Sequence, residues 1–343
     1  MKDKRAHNLD SQTVKSSKQS GMALLVVLLL IAVMTTIGVL MSERWFSQLK
    51  QTEFQQRSLQ AKWYMLGANE VIRGVLWRDL KDDESHTHLG QYWASEINQF
   101  PLEEALLKFE IVDAYSCLNL NAVNQTLESS ETPTEGIDTY IFDVFVNLFA
   151  QSGVDAYESI ELVVNLQDWL DSNDEVRPYG SEDTYYSEQN PPYLAANQPL
   201  VDMTELRLIK GFTPEVIDKI MPHVCVLPRN NISLNVNTLT ADDAKLLSSA
   251  TLGVWDEGFI EQLIANRPKT GWSDLTDFYK DAGLMNDDPM KAQLDAILVV
   301  HSQYFIANLS LQIEESLFTT QSLFYRSKDG VSVINTKIGA LSD

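Results

Sequence analysis

Residues 22–41, "MALLVVLLLIAVMTTIGVLM", are twenty apolar or small side chains without a charge. Wound into an α-helix rising about 1.5 Å per residue, such a run spans roughly 30 Å, the thickness of a bilayer's hydrocarbon core. The next stretch, residues 42–80, has no proline and is rich in Gln, Leu, Glu, Lys and Ala, all good helix formers. Within it Leu59, Trp63, Leu66, Ala68, Val71, Val75 and Leu76 recur mostly at three- and four-residue steps, which predicts an apolar stripe on one helix face. A single long helix, half in lipid and half amphipathic, is the expectation. "KDDESHTHLG" then reads as a helix end and loop, and "LKFEIVDAYSCLNLNAVN" alternates as one or two strands. Residues 125–300 turn helical, in short segments such as "YIFDVFVNLFAQSG", "SIELVVNLQDWL" and "EGFIEQLIANR" joined by Gly- and Pro-bearing turns. From Tyr304 the alternation returns in "YFIANLSLQIEE", "LFTTQSLFYRS" and "VSVINTKIG", three strands of an antiparallel meander with "SKDG" as a tight turn. The predicted class is α+β, with a large helical domain inserted between strands of one sheet.

Charge sets the topology. The formal net charge is -22, yet residues 1–21 hold Lys2, Lys4, Arg5, Lys15 and Lys18 against only Asp3 and Asp10. The positive-inside rule puts this leader in the cytoplasm and the acidic remainder outside it. A secretory signal has a shorter apolar stretch, about 7 to 15 residues, and then an A-x-A-like cleavage site; here the run ends in "LMSERWFSQ". A plain signal anchor fits that pattern. The boundary itself, where "KQSG" meets "MALLVVLLL", resembles instead the site cut by prepilin peptidases. Those enzymes remove the leader after the glycine and keep the helix, so the resemblance implies cleavage between Gly21 and Met22 and N-methylation of Met22. A long half-lipid, half-amphipathic helix is also the architecture of type IV pilin-like subunits.

Most such subunits carry glutamate as the fifth residue after the cut; this chain has Val26 there. In that family the glutamate is thought to neutralise the terminal amine of the neighbour ahead. A bare carboxylate in hydrocarbon is costly, so Val26 suits a subunit with no neighbour ahead, although it would fit any transmembrane helix equally. The body is more specific. "DWLDSND", "GSEDTYY", "PPYLAANQPL" and "ELRLIKGF", in order within residues 166–220, resemble the signature region of the K-type minor pseudopilins of type II secretion systems. With "WYMLGANE" and "SLNVNTLTADDAKLL" the resemblance covers nearly all of the mature chain. It implies a type IV pilin-like fold: leader 1–21, transmembrane helix 22–41, its periplasmic continuation 42–80, a β region of 81–124 with 301–343, and an inserted helical domain 125–300. It further implies an inner-membrane, single-pass protein with a periplasmic body at the pseudopilus tip, where it helps initiate or limit assembly for export across the outer membrane. The implied partners are the I- and J-type minor pseudopilins, the H-type and major pseudopilins, prepilin peptidase and the secreted substrate.

Candidate chemistry centres on "DWLDSNDEVRPYGSEDTYY". Asp171, Asn173, Asp174 and Glu175 crowd one loop, and Glu182 and Asp183 return after Gly180. Oxygen ligands from one flexible stretch suit a structural Ca²⁺, which takes six to eight oxygens in irregular geometry, better than Mg²⁺. A solvated acidic loop is the alternative, and the family resemblance favours calcium. The spacing is not an EF-hand, because Pro178 and Tyr179 precede a late glycine. The cysteines Cys117 and Cys225 can form a disulfide worth about 2–4 kcal/mol in an oxidising compartment, or stay as two buried thiols. "ELRLIKGFTPEVIDKI" and "ADDAKLL...EGFIEQLIANRP" look like helix-hairpin-helix units, but the acidic surroundings disfavour nucleic acid and favour a structural role. No HExxH, G-x-S-x-G or P-loop occurs, so assembly and binding, not catalysis, are expected. A membrane-anchored DNA receptor and a signal-anchored periplasmic enzyme are the rival classes. One weak internal echo, "CLNLNAVN" at 117 and "SLNVNTLT" at 233, places Asn where it can cap a helix start.

Overall fold

The structure is a computed structural model that describes residues 20–95, 99–125, 139–285 and 287–339. All but the end of the leader assigned to residues 1–21 lies outside the described residues. The chain divides into two compact units, Met1–Gln60 and Ala61–Asp343. The first helix, α1 (Ser20–Asp82), runs through both. In the first unit it is apolar and exposed from Gly21 to Met41, and the hydroxyls of Thr35 and Thr36 are turned back onto the carbonyls of Ile31 and Ala32. This spares the two threonines an unpaired polar atom in an apolar environment.

In the second unit, α1 buries Ala61, Met65, Ala68, Ile72 and Leu76, steps of four, three, four and four. This corrects the expected stripe. Ala68 and Leu76 belong to the buried face, whereas Trp63 is 73% exposed and Leu66 46%. Leu59 and Val71 are exposed as well. At about 100° per residue, Trp63 and Leu66 fall roughly opposite Ala68 and Leu76, so the sequence carries two apolar faces that spacing alone merges.

The buried face packs on a five-stranded antiparallel sheet of order β1 (Gln99–Pro101), β2 (Ala105–Asp113), β7 (Tyr304–Ile313), β8 (Ser316–Ser327) and β9 (Gly330–Ile338). Phe305, Ala307, Leu309, Leu311 and Ile313 alternate along β7, as the period-two pleat requires, and meet Ile72 and Leu76 in one cluster. Because β2 pairs directly with β7 from Asp113↔Phe305 to Ala105↔Ile313, everything between them is an insertion into the sheet.

The insertion holds α2 (Thr139–Gln151), α3 (Ala156–Leu170), α4 (Asp183–Ser187), α5 (Pro214–Ile220), α6 (Ala244–Ala250), α7 (Glu257–Ala265), α8 (Leu275–Asp281) and α9 (Pro289–Asp295). Asp155, Thr213, Asp256, Asp274 and Asp288 cap five of these starts through their side chains, which satisfies amides that a helix leaves unpaired. The segments resembling helix-hairpin-helix units contribute Leu206, Ile217, Leu247 and Ile260 to the domain core. Two short parallel pairs form as well, β3 (Leu118–Asn119) with β4 (Val224–Cys225) and β5 (Leu234–Asn235) with β6 (Leu298–Val299); β3 lies in the stretch expected to hold strands, and β4, β5 and β6 are additions to the helical expectation for residues 125–300.

These pairs explain the internal echo. Asn119 Oδ1 accepts from Asn121 N and Leu227 N, and Asn121 bridges to Leu200 and Leu227. Asn235 and Asn237 repeat the pattern: Asn235 Oδ1 accepts from Asn237 N, and Asn237 pairs with both N and O of Trp272. Each echo is a short strand whose asparagines replace the backbone partners that a longer sheet would supply. Cys117 and Cys225 are joined in a disulfide at the first pair, closing a loop with a sequence separation of 108.

A buried polar knot joins insertion, sheet and helix. Asp113, at the end of β2, accepts from Ser302 Oγ at 2.5 Å, Thr238 Oγ1 at 2.7 Å and Asn235 Nδ2 at 3.1 Å. Arg326 of β8 reaches Thr87 Oγ1 at 2.7 Å and Ser302 O at 3.0 Å. Asp79, in the last turn of α1, accepts from the amides of Tyr92 and Trp93.

The two faces of α1 respond oppositely to truncation. Ile72→Ala should cost about 2–5 kcal/mol, the range for a large-to-small change in a packed core, while Trp63→Ala should stay within about 0.5 kcal/mol in the isolated chain. Chemical denaturation of both variants measures this, and equal losses would contradict the assignment of the buried face.

Candidate metal centre

Asp168 lies in the last turn of α3 and Asp171 is its C-cap, so the three-residue step places both carboxylates on one side of the helix end. The chain then loops through residues 172–181 and returns Glu182 beside them, just ahead of α4. One oxygen from each of Asp168, Asp171 and Glu182 lies within 4.8 Å of the others. Asp168 is fully buried and Glu182 is 2% exposed. Gly180 makes the return possible, because a Cβ there would overlap the carboxylate of Asp168.

Arg177 is the counter-charge within the loop. Its Nη1 donates to Asp168 Oδ1 at 2.6 Å and to Asp171 Oδ2, and its backbone N–H to Asp168 Oδ2 at 3.3 Å. Burial works to lower the Arg177 pKa, and the two carboxylates outweigh it and hold it raised. Asp168 is raised by burial, with Arg177 pulling the other way. Glu182 has no such help: neither of its carboxylate oxygens has a hydrogen-bond partner among the described residues. Burial first, and then the like charges of Asp168, Asp171, Asp183 and Asp174, push Glu182 up to about 7. Three acids against one guanidinium leave a surplus of negative charge in a buried place.

An all-oxygen donor set with an unpartnered carboxylate aimed into it fits a hard divalent cation, and its irregular loop supply fits Ca²⁺ better than Mg²⁺. Of the residues expected to be ligands, Asp171 and Glu182 are brought together. Asn173, Asp174 and Asp183 stand in the same loop and make hydrogen bonds of their own. Asn173 donates to Asp171 Oδ1 at 2.8 Å and accepts from Glu175 N at 2.8 Å. Asp174 receives Asn197 Nδ2 at 3.0 Å, and Asp183 receives Ala195 N at 2.9 Å. Asp168 was missed because it sits inside a helical pattern; its signal was the Asp168–Asp171 step itself.

The acidic centre falls within residues 116–229, which match the family described as "Type II secretion system (T2SS), protein K"; a second segment, residues 234–300, matches the same description. The type II secretion system protein K of Klebsiella pneumoniae is 34% identical over 94% of this chain and 97% of its own length. The chain belongs to the type II secretion system protein K family.

The protein K of Aeromonas hydrophila is likewise 34% identical, over 92% of this chain and 96% of its own. Among solved structures, the GspK-GspI-GspJ complex from the type 2 secretion system of enterotoxigenic Escherichia coli contains a chain with a TM-score of 0.75 and 30% identity, covering 85% of this chain and all of that one. Protein K is a minor pseudopilin, a structural component of a protein-transport machine. The long N-terminal helix, the antiparallel sheet and the helical insertion of this chain are those of a K-type fold. Among the described residues, one helix, at the N-terminal end, has the length and composition to cross a membrane once. Both matched segments start next to an asparagine echo, at residues 116 and 234, so the echo marks the start of each half of the insertion.

The unpartnered Glu182 gives a pH test. Its pKa in the folded, metal-free protein lies above the ordinary 4.5, so the native state holds this proton more tightly than the unfolded one. Its stabilising contribution is complete below about pH 4.5 and is lost as pH rises through about 7. Metal-free Glu182→Gln should therefore melt higher than wild type at pH 8, by roughly 2–4 °C, the shift about 1 kcal/mol produces in a domain of this size. The gap should close by pH 5. Thermal melts in chelator measure it, and a gap that does not change with pH would refute the buried, unpaired carboxylate.

Proposed function

We propose that this protein K is a tip subunit of the pseudopilus, held in the inner membrane by residues 22–41 with its body in the periplasm. The observation that carries the reading is the second apolar face of α1. Beyond the apolar run, Trp45, Phe46 and Leu49 in the first unit and Trp63, Leu66 and Val71 in the second are all exposed. A stripe at helical spacing that leaves water only by meeting another molecule is a packing surface for neighbouring helices. The I- and J-type minor pseudopilins are the partners this reading assigns, by analogy with the GspK-GspI-GspJ complex. H-type and major pseudopilins would follow below them.

Two features support the end position. Val26 puts no carboxylate in the hydrocarbon for a neighbour ahead to use. The insertion between β2 and β7 adds bulk that suits the end of a filament better than its shaft, where each subunit needs room on both sides. In this position the protein starts or limits assembly and stands where an exported protein would be met. Prepilin peptidase cuts between Gly21 and Met22, and Met22 is then N-methylated. Calcium at Asp168, Asp171 and Glu182 ties the end of α3 to the start of α4, with Arg177 as the neighbour that balances the remaining charge. Asn173, Asp174 and Asp183 shape the loop around it.

Mass spectrometry of the membrane-extracted chain should show a mature terminus at N-methylated Met22 only when prepilin peptidase is present; an intact Met1 in both samples would refute the processing. In co-expression with I- and J-type subunits, Trp63→Asp with Leu66→Asp should abolish co-purification and leave the far-UV spectrum unchanged. Undiminished co-purification would remove the second face from the interface.

A further inference from the structure

A second cluster of metal-binding side chains lies in the loop that leaves α1, "DDESHTH". One oxygen of Asp83 and one ring nitrogen each of His86 and His88 lie within 4.8 Å of one another. Two imidazoles and a carboxylate are a nitrogen-rich, borderline donor set, which selects Zn²⁺ and related transition metals over Ca²⁺. The donors are arranged and held. Asp83 Oδ1 is saturated by Ser85 N, Ser85 Oγ and His86 N. This leaves Oδ2 facing His86 Nδ1 at 3.0 Å, close to the roughly 3.3 Å edge of a tetrahedron with bonds of about 2.0 Å. The rings of His86 and His88 stack with centroids 5.3 Å apart.

The residue between them explains why the rings share a side. Thr87 is buried, its amide donates to Val300 O at 2.8 Å, its carbonyl accepts from Asn235 Nδ2, and its hydroxyl accepts from Arg326 Nη2. With Thr87 held inward by these bonds, the half-buried rings of His86 and His88 on either side of it lie stacked on each other. Gln91 adds two further ties, accepting from His88 N and donating to His86 O. His88 Nδ1 accepts from Gly90 N at 3.1 Å, and Ser85 Oγ sits 2.8 Å from His86 Nδ1; these are the bonds a cation would exchange.

We infer that Asp83, His86 and His88 form a transition-metal site of the Zn²⁺ class, with a fourth position left for water or a donor from a neighbouring molecule. Bound metal would fasten the C-terminal end of α1 to the loop pinned by Thr87. The inference rests on these side chains and not on the tip assignment, and the site is distinct from the acidic centre of α3.

The test is equilibrium dialysis of the tag-free, detergent-solubilised full chain against micromolar ZnCl₂ in millimolar CaCl₂, with bound zinc counted by mass spectrometry. Wild type should retain about one zinc per chain, and Co²⁺ in its place should give the visible bands of a four-coordinate site. His86→Ala with His88→Ala should lose both signals, and His88→Gln alone should weaken zinc binding at least tenfold, with circular dichroism confirming the fold of each. Glu182→Gln should leave zinc unchanged. Wild type that retains no zinc, or zinc that persists undiminished in the folded His88→Gln variant, would overturn the inference.

Discussion

Arg326 is the residue on which the arrangement of this protein turns. Burial pushes its guanidinium down to about 10, and Nε and Nη1 have no hydrogen-bond partner among the described residues. It lies over the ring of Phe305 at 4.4 Å, a favourable but modest contact. Keeping a charge there costs several kcal/mol unless opposite charges stand close. Asp113 and Asp79 supply them. Asp113 is itself pushed up to about 6 by burial, against the pull of Ser302, Thr238, Asn235 and then Arg326, so at pH 7 it still carries its charge. Each ion is tolerable because the others are present. The last turn of α1, the end of β2 and β8 are therefore fixed together by charge, and the loop at Thr87 and β5 are joined to them by hydrogen bonds.

That joint lets one polypeptide combine a pilin-like half with a bulky insertion. The sheet continues from β2 to β7 as though nothing intervened, and the insertion is fastened at its base by the asparagine ties, the disulfide and the knot. Farther out, the acidic centre at α3 holds its charge imbalance beneath a loop closed by Arg177 and Gly180. The knot sets Arg326 against the opposite charges of Asp113 and Asp79, whereas the acidic centre keeps a surplus of negative charge around an unpartnered carboxylate. The first has the character of scaffold and the second that of a binding site.

The difference between the two faces of α1 has the same origin. Ala61, Met65, Ala68, Ile72 and Leu76 are buried in one cluster with β7, and Trp63 and Leu66 are equally apolar but exposed. Helical spacing shows that a face exists and not which of two faces the fold covers. The exposed face is the one that the proposed partner helices would cover.

Much was legible in the chain alone. The membrane-length helix, the returning meander and the helical block between strands follow from the period and length of apolar runs, which are local properties. The acidic loop was visible as a charge cluster, and two of its residues, Asp171 and Glu182, do converge with Asp168. Which carboxylates converge was not visible, because that depends on the path of residues 172–181 and on a close approach only Gly180 permits. Asn173, Asp174 and Asp183, close to these in sequence, hold hydrogen bonds within and across the loop that only the folded path shows. The ties of Thr87 to Val300, Asn235 and Arg326, the partners of Arg326 and the buried face of α1 were decided by tertiary structure. Each depends on the distance between segments far apart in the chain, and local pattern carries no information about that distance.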